Sequence, residues 1–133
     1  MLFRNRRKRQ SRINSLIGAA STIEGDVIFS GGLRIDGQVK GNVRVADEQT
    51  GTLVVSEQAR IEGEIHASHC VINGTVVGSV HAAESLELQS GAQVTGDVHY
   101  SNIEVHEGAV VQGRLVHQTE TVGSLGLKLA SSN

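Results

Sequence analysis

The chain has 133 residues, 38% hydrophobic but only 2% aromatic, with no proline and one cysteine, and its formal charge is −2. This length makes a single domain whose core must be built from Val, Ile, Leu and Ala, and without proline every backbone N–H stays available to a continuous β ladder. Helical periodicity is missing from the body, no apolar run approaches the roughly 18 residues that span a bilayer, and one unpaired cysteine fits a reducing cytoplasm.

The first fifteen residues hold Arg4, Arg6, Arg7, Lys8, Arg9 and Arg12 and no acid. Residues 16–117 hold five basic and thirteen acidic residues, so the small net charge hides a basic arm joined to an acidic body. The arm is too polar and too short to pack, and disorder is expected for it in isolation. Met1, Leu2 and Phe3 are the only apolar residues ahead of the basic run, which is not a secretory signal, and Leu2 in place of glycine excludes N-myristoylation. A membrane surface suits this arm best. Met1, Leu2 and Phe3 enter the headgroup boundary while Arg4, Arg6, Arg7, Lys8 and Arg9 attract anionic lipid, each charge adding about 1 kcal/mol. Nucleic acid is the less favoured partner, because phosphate contacts need no apolar tip. A solubilising tail is the plain alternative.

From residue 23 onward one five-residue phrase recurs eight times: aliphatic, any residue, glycine, any residue, aliphatic. Ile23-Glu24-Gly25-Asp26-Val27, Ile61-Glu62-Gly63-Glu64-Ile65 and Val94-Thr95-Gly96-Asp97-Val98 are three copies. Such self-similarity marks a solenoid, and alternation with period two makes each phrase strand-like, with Ile or Val facing one side. The glycine falls on the inward parity, where a narrow interior or a tight bend would exclude a side chain. A second phrase, Leu53-Val54-Val55, Leu86-Glu87-Leu88 and Ile103-Glu104-Val105, leads ten residues on to Gly63, Gly96 and Gly113, with Ala59, Ala92 or Ala109 four residues before the glycine.

Aligning Gly25, Gly41, Gly63, Gly78, Gly96 and Gly113 gives intervals of 16, 22, 15, 18 and 17. The longest contains the polar stretch Asp47 to Gly51, which reads as a loop inserted at a corner. Six coils of about 17 residues, each with three short strands, predict an all-β, single-domain parallel β-helix over residues 16–117, followed by a flexible tail at 118–133. The register passes an electrostatic test. Residues preceding the glycines run Glu24, Lys40, Glu62, Val77, Thr95, Gln112, and those following run Asp26, Asn42, Glu64, Ser79, Asp97, Arg114. Acid, base and acid stack in the first series and no two acids adjoin in the second, as cross-strand pairing favours.

Residues capable of chemistry mostly reduce to structure. Cys70 aligns with Leu33, Leu53, Leu86 and Ile103 as the first inward residue of a coil, so it reads as a small core hydrophobe rather than a nucleophile. His66, His69 and Cys70 have metal-like spacing, but alternation sends His66 outward and Cys70 inward. There is no phosphate-binding Gly-rich loop, and no nucleophile, base and orienting group recur together. No catalytic, cofactor or metal residue is assigned. His66, His81 and His99 each lie three residues past a repeat glycine and are expected to form an outward ladder. This is either a solvated stripe or a pH-sensitive face.

The run from Leu16-Ile17-Gly18 to Ile23-Glu24-Gly25-Asp26-Val27, then Ser30-Gly31-Gly32-Leu33-Arg34-Ile35-Asp36-Gly37 and Val39-Lys40-Gly41-Asn42-Val43, resembles the opening of the bactofilin domain. The resemblance covers roughly residues 16–117. It implies a right-handed, triangular β-helix that polymerises end to end without nucleotide, often at the inner face of the cytoplasmic membrane, as a scaffold for cell-wall or morphogenesis proteins. It also makes the short apolar and basic N-terminus similar to a membrane-targeting segment. Exposed backbone at each end of a solenoid supports a homopolymer independently, since no capping element is evident in the sequence. Bactofilins often place an aromatic residue near the last coil. This chain has none after Tyr100, so Leu16, Ile17, Val105, Leu115 and Val116 are the expected polymer interface. Two other readings stand beside this one. A left-handed β-helix acyltransferase would need a strict hexapeptide repeat, which the glycine intervals mostly lack, and a non-polymerising adaptor would bind partners along its flat faces.

Overall fold

A computed structural model describes residues 12–119; residues 1–11 and 120–133, which include the arm residues Met1 to Arg9, lie outside that range. The described residues form sixteen strands and no helix. They wind as six coils. The first is β1 (Ser15–Ile17), β2 (Thr22–Glu24) and β3 (Val27–Phe29), and the second is β4 (Gly31–Ile35), β5 (Gln38–Lys40) and β6 (Val43–Val45). Then come β7 (Gly51–Val55) and β8 (Arg60–Glu62), and the long strand β9 (Ile65–Ile72), which closes the third coil and opens the fourth. After β10 (Thr75–Val77), β11 (Val80–Leu88) joins the fourth coil to the fifth in the same way. The last strands are β12 (Gln93–Thr95), β13 (Val98–Tyr100), β14 (Ile103–Val105), β15 (Val110–Gln112) and β16 (Leu115–His117).

Every pairing is parallel, and each face is one stack of equivalent strands. One face stacks β1, β4, β7, the second half of β9, the second half of β11 and β14. A second stacks β2, β5, β8, β10, β12 and β15. The third stacks β3, β6, the first half of β9, the first half of β11, β13 and β16. The three-strand coil read from the sequence is therefore present.

Alternation in these strands places at least one aliphatic column behind each face. Val39, Ile61, Val76 and Val94 stack in register, as do Ile35, Val55, Ile72 and Leu88, and Val43, Ile65, Val80 and Val98, all essentially without solvent exposure. Fully burying side chains of this size contributes about 1.5–3 kcal/mol each, which lets a core almost free of aromatics hold the tube. Cys70 stacks between Leu53 and Leu86 at 1% exposure, and burial pushes its thiol up to about 12, so it is a core hydrophobe.

The aligned glycines do form one column, but at a corner and not in the interior. A Cβ at Gly113 would overlap the carbonyl oxygen of Gly96, and one at Gly96 would overlap that of Gly78, because successive coils bring backbone directly onto backbone there. Gly96 also has φ of 146°, a region side chains rarely enter. The tight bend, not a narrow lumen, is the constraint. Ala59, Ala92 and Ala109 end four-residue turns in which their N–H donates to the carbonyl of Ser56, Gln89 or His106 at 3.0, 2.9 and 3.2 Å. The inserted loop lies one residue earlier than the composition suggests, at 46–50 instead of 47–51. Gly51 is the buried first residue of β7, where a Cβ would strike the Phe29 ring.

Candidate functional site

Two kinds of surface carry chemistry: the ends of the tube and the outward columns. At the ends, the interior columns run out of partners among the described residues. Val105 terminates the Ile35–Val55–Ile72–Leu88 column at 52% exposure, and Leu115 terminates the Val43–Ile65–Val80–Val98 column at 51%. At the opposite end Ile17 continues the column of Ile35, and Ile23 and Val27 continue the others, all only partly buried. Of the five residues expected at the polymer interface, Ile17, Val105 and Leu115 thus sit at the mouths of interior columns. Leu16 and Val116 belong to the same terminal coils but to outward columns, stacked on Arg34 and His99 respectively.

The outward columns confirm the alignment used to read the sequence. Glu24 pairs with Lys40, and Lys40 with Glu62. Just past the glycine corner, a side chain of one coil caps the backbone of the next at three of the steps. The N–H of Asn42 donates to Asp26 Oδ1 at 2.9 Å, that of Glu64 to Asn42 Oδ1 at 2.8 Å, and that of Arg114 to Asp97 Oδ1 at 3.0 Å. The Arg114 guanidinium also reaches Asp97 Oδ2 at 2.9 Å, and these two contacts hold the Asp97 carboxyl below the usual carboxylate range.

The histidine ladder is formed. His66 on β9, His81 on β11 and His99 on β13 are in register, with ring centroids 4.3 Å apart at both steps and ring planes within 4° and 8° of parallel. Glu64 Oε1 lies 3.0 Å from His66 Nε2, and that contact lowers the Glu64 carboxyl. Partial burial, and then the neighbouring His66 and His99, lower the pKa of His81. His69 is elsewhere, buried on the adjoining face with Nδ1 2.7 Å from Ser85 Oγ, so His66, His69 and Cys70 do not converge.

One cluster went unread. Glu87 and Glu104 are directly opposed on β11 and β14, and His106 Nε2 lies 3.2 and 3.1 Å from their carboxylates. The signal was present in the aligned phrases Leu86-Glu87-Leu88 and Ile103-Glu104-Val105, which already set one acid over the other.

A family model described as "Bactofilin: Polymer-forming cytoskeletal" matches residues 15–116. Among curated proteins, the chain is 28% identical to Bactofilin BacO of Myxococcus xanthus (strain DK1622) over 102 residues, 77% of this chain and 78% of the relative. It is 26% identical to Bactofilin BacP of the same organism over 102 residues, again 77% of this chain but 41% of that longer relative. No solved structure matches the chain.

Proposed function

The chain belongs to the bactofilin family of polymer-forming cytoskeletal proteins, and on that premise we propose that it assembles end to end into filaments that need no nucleotide. The observation that carries this reading is the pair of half-exposed residues Val105 and Leu115, each ending a column whose inner members are completely covered. A second tube stacked on that end continues both columns and supplies backbone partners for the outermost strands, which among the described residues have none on that side.

The basic arm joins this polymer to a membrane. Met1, Leu2 and Phe3 with Arg4, Arg6, Arg7, Lys8 and Arg9 bind anionic lipid weakly as a single arm, and a filament that presents many arms side by side gains avidity without new contacts. We assign the filament to the inner face of the cytoplasmic membrane, where its outer faces position cell-wall or morphogenesis proteins. Electron microscopy of the full chain without nucleotide or metal, followed by co-sedimentation with anionic vesicles at low and high salt, tests both halves. Filaments are expected, with binding that falls with salt and is lost on deletion of residues 2–9 while the filaments persist. A wild-type chain that stays monomeric at high concentration removes the first half, and a truncated chain that binds vesicles as well as wild type removes the second.

A further inference from the structure

The stacked histidines lie on an outward column, outside the buried aliphatic core. Their imidazoles lie on an outward face, partly exposed, beside a groove that His66 and His81 line together with Val45, Gln49 and Gln118. Histidine is the commonest transition-metal ligand, and two imidazoles with one carboxylate form a donor set for first-row divalent ions that leaves coordination positions open. From this geometry we propose that Glu64, His66 and His81 form a binding site for a late first-row divalent cation such as Zn²⁺.

Three observations select this end of the ladder. The ligand atoms of Glu64, His66 and His81 all lie within 4.8 Å of one another, and the Glu64–His66 pair is already at 3.0 Å. A tetrahedral ion with bonds of about 2.1 Å needs its donors about 3.4 Å apart, so splaying the two rings and turning His81 by an ångström or so completes the triad. The equivalent acid near His99 is Asp97, and the Arg114 guanidinium and N–H already occupy it. Ser79 takes the same place before His81, which leaves Glu64 as the carboxylate free to join the imidazoles. The neighbouring cation does not oppose the site. Arg44 is next to His66 in the column, but its guanidinium pairs with Asp47 at 3.2 Å and reaches the Val45 carbonyl.

Glu64 and His66 belong to the third coil and His81 to the fourth, so a bound ion ties two coils together and recognises only the wound chain. The test uses the full chain without a histidine tag, freed of metal by chelator and titrated with Zn²⁺ in a calorimeter. One saturable ion per chain is expected, and Mg²⁺ should give no signal. Glu64→Gln, His66→Gln and His81→Gln should each weaken binding at least tenfold, with unchanged circular dichroism. His106→Gln, at the other Glu-His cluster, should change it less than twofold. Co²⁺ substitution should give the visible absorption of a low-symmetry, nitrogen-ligated ion, and His81→Gln should diminish it. Absence of saturable Zn²⁺ binding, equal affinity in all variants, or loss on His106→Gln alone overturns the proposal.

Discussion

Leu115→Arg separates folding from assembly. Leu115 is 51% exposed in the free tube, whereas Val98, one coil inward in the same column, is fully covered. Covering the remaining half of a leucine side chain contributes about 1 kcal/mol to each joint, and a guanidinium placed there adds a desolvation cost of several kcal/mol. The joint should therefore weaken by at least about 3 kcal/mol, which raises the critical concentration for polymerisation about a hundredfold. The tube itself loses little, because the substituted side chain has solvent on one side. Pelleting across a concentration series gives the critical concentration, and circular dichroism with urea unfolding reports the fold. A variant that pellets at the wild-type concentration would refute the placement of Leu115 in the joint. A variant that unfolds would show that the last coil is more strongly coupled to the body than its exposure implies.

Two further outcomes follow from the corners and from the histidines. Gly96→Ala places a Cβ into the Gly78 carbonyl at a positive φ and should prevent accumulation of folded protein, whereas Gly18→Ala, with nothing near its Cβ, should stay within about 0.5 kcal/mol of wild type in urea unfolding. The lowered pKa of His81 means that the unfolded chain takes up that proton more readily than the folded one, so stability is complete above about pH 7 and falls as pH drops through the unfolded value of about 6.5. The depressed carboxyls of Asp36, Glu62, Glu64 and Asp97 keep their contribution above about pH 4 and lose it below. Thermal midpoints from pH 8 to 3 should show both declines, and His81→Gln should flatten only the first. A wild-type midpoint that is constant from pH 7 to 5.5 contradicts the histidine assignment.

What could be read in the sequence is what a period of two and a repeating glycine encode. The stacking of Lys40 between Glu24 and Glu62, the burial of Cys70 and the His66–His81–His99 ladder all follow from one alignment. The alignment fails where neighbouring residues are both aliphatic. In Leu16-Ile17, which lies outside the glycine phrase, nothing local marks which member points inward, and only the partner coil, through Arg34, decides it. Corners were harder still. Backbone lying on backbone, not a filled lumen, demands the glycines, and that is a property of two coils together which no single phrase contains. The same holds for Glu87 and Glu104, whose opposition becomes visible only once coils are laid over each other.

The half-covered columns at the two ends also bear on how such a tube resists loss of structure. Each coil touches only its neighbours, so local opening starts at the terminal coils and the middle ones open last. Amide exchange in an isolated chain should accordingly be slowest near Ile61, Ile72 and Val76 and fastest around β1 and β16. Joining tubes end to end turns each mouth into an interior layer, so every coil of a long filament would exchange like the centre of the free chain, and opening would be left to the filament's two tips.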